Sequence, residues 1–369
     1  MQKVLFLTLK TFSFTGGIEK ACRSLMYAIS QQERMSLSTW SMYDATIDCD
    51  QRYAAKSVFK GFSGGRLSFA LAVLRNALRF DKVILSHINL LLFGKLIKII
   101  KPSTQIILWA HGVEVWRTIP KWKMKFLQEK AEIWAVSNYT KQQLIQRHQV
   151  AEPKIKVLHN TLDPFYKVSS DFTKPNFLLE RYQIKVNAFV LFTLTRLSAT
   201  EHAKNYDLVI KAVKALKAQF PQLVYLIGGK ADEYEQMRLT QLIAKHQLTD
   251  EIKIIGFIDE REIEAHYRLA DCFVLPSKKE GFGIVLIEAA ACGCQVIGGN
   301  ADGSTDALLN GQLGQLVNPS SEEEIIKAIQ KALNNKAHQP KAQQELTVKH
   351  FGFDRYVAKV RELINGGFG

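Results

Sequence analysis

The sequence predicts an α/β protein made of two doubly wound parallel-sheet domains. Three observations carry that reading. Short apolar runs of strand length alternate with longer runs of helical period along the whole chain. The alternation comes in two series, parted by a polar stretch that holds Pro164 and Pro175. Glycine-bearing loops follow several strand-like runs on the carboxyl side, where open parallel sheets place ligands.

In the first series, 3–9, 83–86, 106–109, 133–136 and 156–158 read as strands. They are near-continuous Val, Ile, Leu, Phe and Trp, as strands covered on both faces require. The segments 19–32, 67–79, 90–101, 121–130 and 140–148 read as the crossover helices. In the second series the strands are 188–194, 224–228, 252–255, 272–275 and 295–298, and the helices 205–219, 232–246, 259–269, 284–292 and 322–334. The expected domains are 1–168 and 169–350. A further helix is expected over 351–364, and a frayed tail over 365–369.

At 369 residues the chain is long enough for two cores, and 47% hydrophobic with 23% charged residues is the balance of a soluble globular protein. Cys22, Cys49, Cys272, Cys292 and Cys294 show no C-x-x-C and no zinc spacing, which fits reduced thiols and a cytoplasmic location. The apolar run after Met1-Gln2-Lys3 is too short for a secretory signal. The longest apolar stretch, 83–100, is interrupted by His87, Asn89, Lys95 and Lys98, which makes it a poor membrane span.

The net charge of +14 is unevenly placed. Residues 1–165 hold 24 Lys and Arg against 11 Asp and Glu, whereas 166–369 hold 25 against 24. A basic first half expects an anionic partner. No zinc finger, RRM-like aromatic pair or helix-turn-helix appears, so nucleic acid is not expected. The segment 116–126 interleaves Arg117, Lys121, Lys123 and Lys125 with Trp116, Trp122, Met124 and Phe126. That composition suits peripheral contact with an anionic membrane, and equally a solvated basic face.

The densest chemistry lies at 278–291. Glu280 precedes a Gly281-Phe282-Gly283 turn, and Glu288 falls eight residues later, inside the helix that the turn opens. The first amides of that helix, at Gly283, Ile284 and Val285, form an anion seat. An ordinary strand–loop–helix with one acid as a cap has the same local pattern. Upstream, Arg196 follows a strand and Lys204 follows eight residues on; two such cations can neutralise a leaving diphosphate. Thr15-Gly16-Gly17-Ile18-Glu19 opens the first helix without forming G-x-G-x-x-G. His111 stands before Gly112 at a strand end, and Ser137-Asn138 after the next strand reads first as a helix cap. Asp48-Cys49-Asp50 is a D-x-D triplet with no glycine loop beside it, so no metal is expected there.

Together these segments resemble glycosyltransferase family 4, the retaining enzymes with an E-x7-E pattern, and in particular bacterial exopolysaccharide and O-antigen mannosyltransferases. The resemblance runs from residue 15 to Pro319. It implies a GT-B fold, two Rossmann-like domains facing a cleft, with the helix at 351–364 returning to the first. It implies a nucleotide-sugar donor, GDP- or UDP-linked, and a glycan or lipid-diphosphate-linked acceptor, without metal or other cofactor. Glu280, His111, Arg196 and Lys204 would carry catalysis. Gly16, Gly17, Ile258, Gly283, Ile284, Val285 and Glu288 would join Arg196, Lys204 and Glu280 in holding the donor, and Ser137 and Asn138 would lie on the acceptor side. The chain departs from the family at Asn205, where Gly is usual. Other enzymes on the same fold, a sugar epimerase or a phosphorylase, stay open, as does a non-catalytic nucleotide-sugar-binding partner.

Overall fold

The computed structural model describes residues 1–366. The chain divides into two compact units: residues 1–165 with the chain from Phe351 onward, and residues 166–350. Each is a parallel sheet wrapped by helices.

The first unit holds seven strands: β1 (Gln2–Thr8), β2 (Met35–Ser41), β3 (Phe59–Gly61), β4 (Lys82–Leu85), β5 (Gln105–Ala110), β6 (Ala131–Ala135) and β7 (Ile155–Val157). Their order is β3-β2-β1-β4-β5-β6-β7, every pairing parallel. The second unit holds β8 (Phe189–Leu194), β9 (Leu223–Gly228), β10 (Ile252–Gly256), β11 (Cys272–Leu275), β12 (Gln295–Gly299) and β13 (Gln315–Val317), in the order β10-β9-β8-β11-β12-β13. Both sheets reverse direction of growth once, beside β1 in the first and β8 in the second. Crossover helices leave the sheet on opposite faces at that point, which opens a crevice at the strands' carboxyl ends.

Strands β1, β4, β5 and β6 are almost wholly buried, as their unbroken apolar runs require. Three strands lay outside the expected set. Strand β2, Met-Ser-Leu-Ser-Thr-Trp-Ser, alternates buried and exposed residues and carries four hydroxyls, so it lacks the signature of a two-sided strand. Strands β3 and β13 are three-residue edges. The expected helix 259–269 begins only at Ile263, because Asp259 accepts the N–H of Arg261 and turns the chain first. Four helices, Val113–Trp116, Asn176–Arg181, Ser304–Ala307 and Pro340–Phe351, were also absent from the expected set.

The expected 351–364 helix is Phe353–Asn365, separated from Pro340–Phe351 by an extended Gly352. Its buried Tyr356, Val360, Leu363 and Ile364 form one apolar stripe against the helix Gly17–Ser30. Burying each such side chain contributes about 1.5–3 kcal/mol. Lys82, at the start of β4, donates its ammonium to the carbonyl of Ile364 at 2.5 Å, a cation on the last turn of a helix. Of the tail 365–369, Asn365 closes this helix and residues 367–369 lie outside the described residues.

All five cysteines are free and buried. Among the described residues no helix is long and apolar enough to cross a membrane.

Candidate functional site

In the second unit the two strands at the point of reversal, β8 and β11, end side by side. After β8 the chain runs Thr195-Arg196-Leu197. It is held close to the exit of β9, because Gly229 takes φ +135° and a Cβ there would sit 1.7 Å from the Thr195 carbonyl oxygen. Arg196 is exposed, with its guanidinium 4.0 Å from Glu201. Lys204 closes a short 3-10 turn, His202–Lys204.

Asn205 then adopts the left-handed conformation, φ 59° and ψ 26°, which Asn tolerates better than most residues. Its side-chain amide donates to the carbonyls of Pro276 and Pro319, each at 2.7 Å. The departure from Gly therefore keeps the backbone bend and adds two ties to the loop after β11. Lys278 adds a third, its N–H donating to the Ala203 carbonyl at 2.8 Å.

These ties bring Lys204 and Glu280 together at 2.5 Å, with side chains only 15% and 20% exposed. Burial alone would lower the Lys204 pKa. The charge of Glu280 and its hydrogen bond outweigh that, so the ammonium is held above the ordinary lysine value.

Beyond Glu280 the chain turns at Gly283, φ +93° and ψ 64°, into the helix Ile284–Ala291. A Cβ on Gly283 would meet Leu286 Cδ1 at 2.7 Å, so the turn needs glycine on both counts. The helix has no side-chain cap and no acid in its first turn. Its leading amides, Ile284 and Val285 among them, have no carbonyl one turn back to bond. An uncapped helix N-terminus, a paired lysine and an exposed arginine at one sheet end form a site for a polyanion.

Glu288 lies elsewhere. It is fully buried, its carboxylate accepting from the Tyr267 hydroxyl at 3.1 Å and its carbonyl from the Tyr166 hydroxyl at 3.4 Å. The two acids therefore do not flank one open seat as their spacing suggested. Glu280 stands in the loop, whereas Glu288 is enclosed beneath the helix. Ile258, past β10, is also buried, its Cδ1 2.8 Å from where a Cβ on Gly228 would stand.

The remaining expected residues lie in the first unit. Gly16 precedes the helix Gly17–Ser30 in extended backbone. A Cβ on Gly16 would meet the Glu19 carboxylate at 2.5 Å, so this helix start is covered by its own acid, while Gly17 faces open space. His111 directly follows β5, buried beside Trp109 with ring centroids 4.5 Å apart. Burial, then the neighbouring His87, lowers its pKa to about 3, so the ring is neutral at physiological pH, and its Nε2 has no hydrogen-bond partner.

Ser137 is a cap: its hydroxyl accepts the Thr140 N–H at 3.1 Å, opening the helix Asn138–His148, and Asn138 is exposed. Asp48 accepts the Ala45 N–H, and Asp50 pairs with Arg52 at 2.6 Å. Among the described residues no three His, Cys, Asp or Glu side chains gather as metal ligands.

Sequence reasoning passed over two buried acids. Asp44 accepts the N–H groups of Thr11 at 2.6 Å and Ser13 at 2.9 Å, fastening the loop that leads to Gly16. Asp302 accepts the Glu280 N–H at 2.6 Å. The local signal for Asp302 was present in Asp-Gly-Ser after a glycine pair, an Asx-type turn.

Comparison with known proteins bears on both units. Residues 178–347 match the family model for glycosyl transferases group 1. Among curated relatives, the serotype-specific mannosyltransferase WbdA of Escherichia coli is 26% identical over 215 residues, covering 57% of this chain and 25% of its own. A GDP-mannose-dependent alpha-(1-6)-phosphatidylinositol monomannoside mannosyltransferase of Mycolicibacterium smegmatis is 26% identical over 175 residues, 44% of this chain and 45% of its own. The chain thus spans less than half the length of these relatives. Among solved structures, Anabaena Alr3699/HepE with UDP and glucose superimposes with a TM-score of 0.81 at 20% identity over all of both chains. WaaG, a glycosyltransferase involved in lipopolysaccharide biosynthesis, gives 0.67 at 15% identity over 98% of this chain and 100% of its own. The fold is GT-B, and most of the second unit matches the model of the glycosyl transferases group 1 family.

Proposed function

We propose that the chain is a retaining glycosyltransferase. It would move a hexose, mannose from GDP-mannose by preference, to a lipid-linked or oligosaccharide acceptor in bacterial surface polysaccharide synthesis. The observation that carries this is the joining of Arg196, the Lys204–Glu280 pair and the uncapped helix start at Ile284 on one sheet end of a group 1 unit. The mannose preference draws on relatives named as mannosyltransferases. The solved neighbour that holds UDP keeps a uridine donor open.

In this reading the donor diphosphate takes Lys204 from Glu280 and lies against the amides of Gly283, Ile284 and Val285, with Arg196 above. Charge grows on the diphosphate as the anomeric bond breaks, so donors fixed in advance lower the barrier there. Glu280, released from Lys204, accepts sugar hydroxyls. The leaving diphosphate serves as base on the face it departs from, so no protein nucleophile is invoked, and no metal or other cofactor. Glu288 contacts the ribose only if its enclosed carboxylate opens; Ile258 offers its backbone to the base. Gly16, Gly17, His111, Ser137 and Asn138 enter through the family resemblance alone.

An anionic membrane is the proposed partner of the first unit. Residues 51–130 hold 15 Lys and Arg against three acids. Leu67, Leu71, Leu92 and Ile99 are exposed on the contacting helices Arg66–Asn76 and Leu91–Ile100, and Lys95 and Lys123 flank the ring of Trp122.

The test is titration calorimetry with UDP-glucose and GDP-mannose, followed by transfer assays with Glu280→Ala. One donor class should bind, and the variant should lose transfer. Absence of binding by either donor would overturn the reading.

A further inference from the structure

We propose that Asp302 is a positioning residue of the donor site, whose carboxylate fastens the backbone of Glu280 to the glycine loop after β12. The inference rests on the donor reading above and deepens it.

Asp302 is fully buried. One carboxylate oxygen accepts the Glu280 N–H at 2.6 Å, and the other accepts the Ser304 N–H at 2.9 Å. The next residue completes the grip, because the Gly303 N–H donates to the Glu280 carbonyl at 2.8 Å. Both backbone polar groups of Glu280 are therefore held by Asp302-Gly303. The two loops also touch backbone to backbone: a Cβ at Gly303 would sit 2.1 Å from the Gly281 carbonyl oxygen, and one at Gly299 2.2 Å from that of Ser277. With no slack between them, the Asp302 carboxylate sets where Glu280 stands, and Glu280 sets where Lys204 points.

The ionised form accepts both N–H groups best, since protonation turns one oxygen into a donor and leaves it a weak acceptor. Burial raises the Asp302 pKa to about 6, the Glu280 charge adding to it against the Ser304 and Glu280 N–H bonds. The charged groups that act on it are Glu280 and Lys204, the latter at the end of the short turn His202–Lys204. The folded pKa lies above the unfolded value. The ionised carboxylate therefore costs stability, and that cost sets in as pH rises from about 4 through 6.

The experiment is titration of wild type, Asp302→Asn and Thr305→Ala with UDP-glucose and GDP-mannose from pH 7.5 to 5. In both probes the diphosphate is esterified at each end and lacks the phosphate ionisation near 6. At pH 5 a group of pKa about 6 is roughly 90% protonated, so wild-type affinity should fall up to about tenfold. Asp302→Asn should bind weakly already at pH 7.5, show no such fall, and melt within a few degrees of wild type. Thr305→Ala removes a hydroxyl bond to the Asp302 carbonyl, made in the same turn, and should behave as wild type. A flat wild-type profile overturns the proposal. So does an Asp302→Asn protein that binds as wild type or keeps its slope, or a Thr305→Ala protein that reproduces the loss. Should neither donor bind wild type at any pH, the donor reading fails and this inference with it.

Discussion

The two units open a helix after a glycine turn in nearly the same local sequence style, and they treat its N-terminus in opposite ways. At Gly17–Ser30 the first turn carries Glu19, whose carboxylate folds back against Gly16. At Ile284–Ala291 the first turn carries no acid, no side chain caps it, and Lys204 stands nearby on the carboxylate of Glu280. A helix start attracts one anion; in the first unit the chain supplies it, and in the second the place is left for a ligand. A glycine turn alone is therefore a poor guide to a phosphate site. Whether the first turn carries an acid, and the sign of the neighbouring charges, decide it.

Four substitutions would break or sharpen that contrast. Lys204→Ala removes the cation paired with Glu280 and should weaken donor binding about 10- to 100-fold, as loss of a charged hydrogen bond does, read by calorimetry. Gly283→Ala forces a side chain into left-handed backbone and against Leu286. It should cost about 1–2 kcal/mol of stability and more than that in donor affinity, read by denaturant melts beside titrations. Val285→Glu puts an acid in the first turn of the second helix and so makes it resemble the first. Donor affinity should fall about tenfold with little change in melting, the dipole and like-charge effects together supplying roughly 1–2 kcal/mol. Glu19→Gln makes the converse change. It should lower stability by about 0.3–1 kcal/mol, a shift of a few degrees in Tm. If Val285→Glu binds donor as wild type, the contrast between the two helix starts carries no function.

Much of this was legible in the sequence, for a physical reason. Strands covered on both faces, such as Val4–Leu7 in β1 and Cys272–Leu275, must be apolar throughout, and they announce themselves. Strand β2 is covered on alternate residues and written in serines, so composition hides it. Lys204, Glu280 and Gly283 could be singled out because loop chemistry depends on residue type and spacing. The burial of Glu288 could not, since it is set by Tyr267 on another helix, 21 residues away in sequence. The turn at Asp302 had a local signal in Asp-Gly-Ser, but its hold on Glu280 did not, because that partner is a backbone N–H 22 residues away and backbone partners leave no trace in a sequence.

The return of Phe353–Asn365 to the first unit has a consequence in time. The helix Gly17–Ser30 is synthesised before the second unit, yet the apolar stripe that covers it belongs to a helix made after that unit. After the first unit breaks off at Phe165, roughly 200 further residues must be made before Asn365 completes that helix, which takes roughly 10 to 40 s of translation. For that interval the first unit waits with an open face and the buried ammonium of Lys82 without its carbonyl partner, while the second unit, continuous in sequence, can close as soon as it emerges.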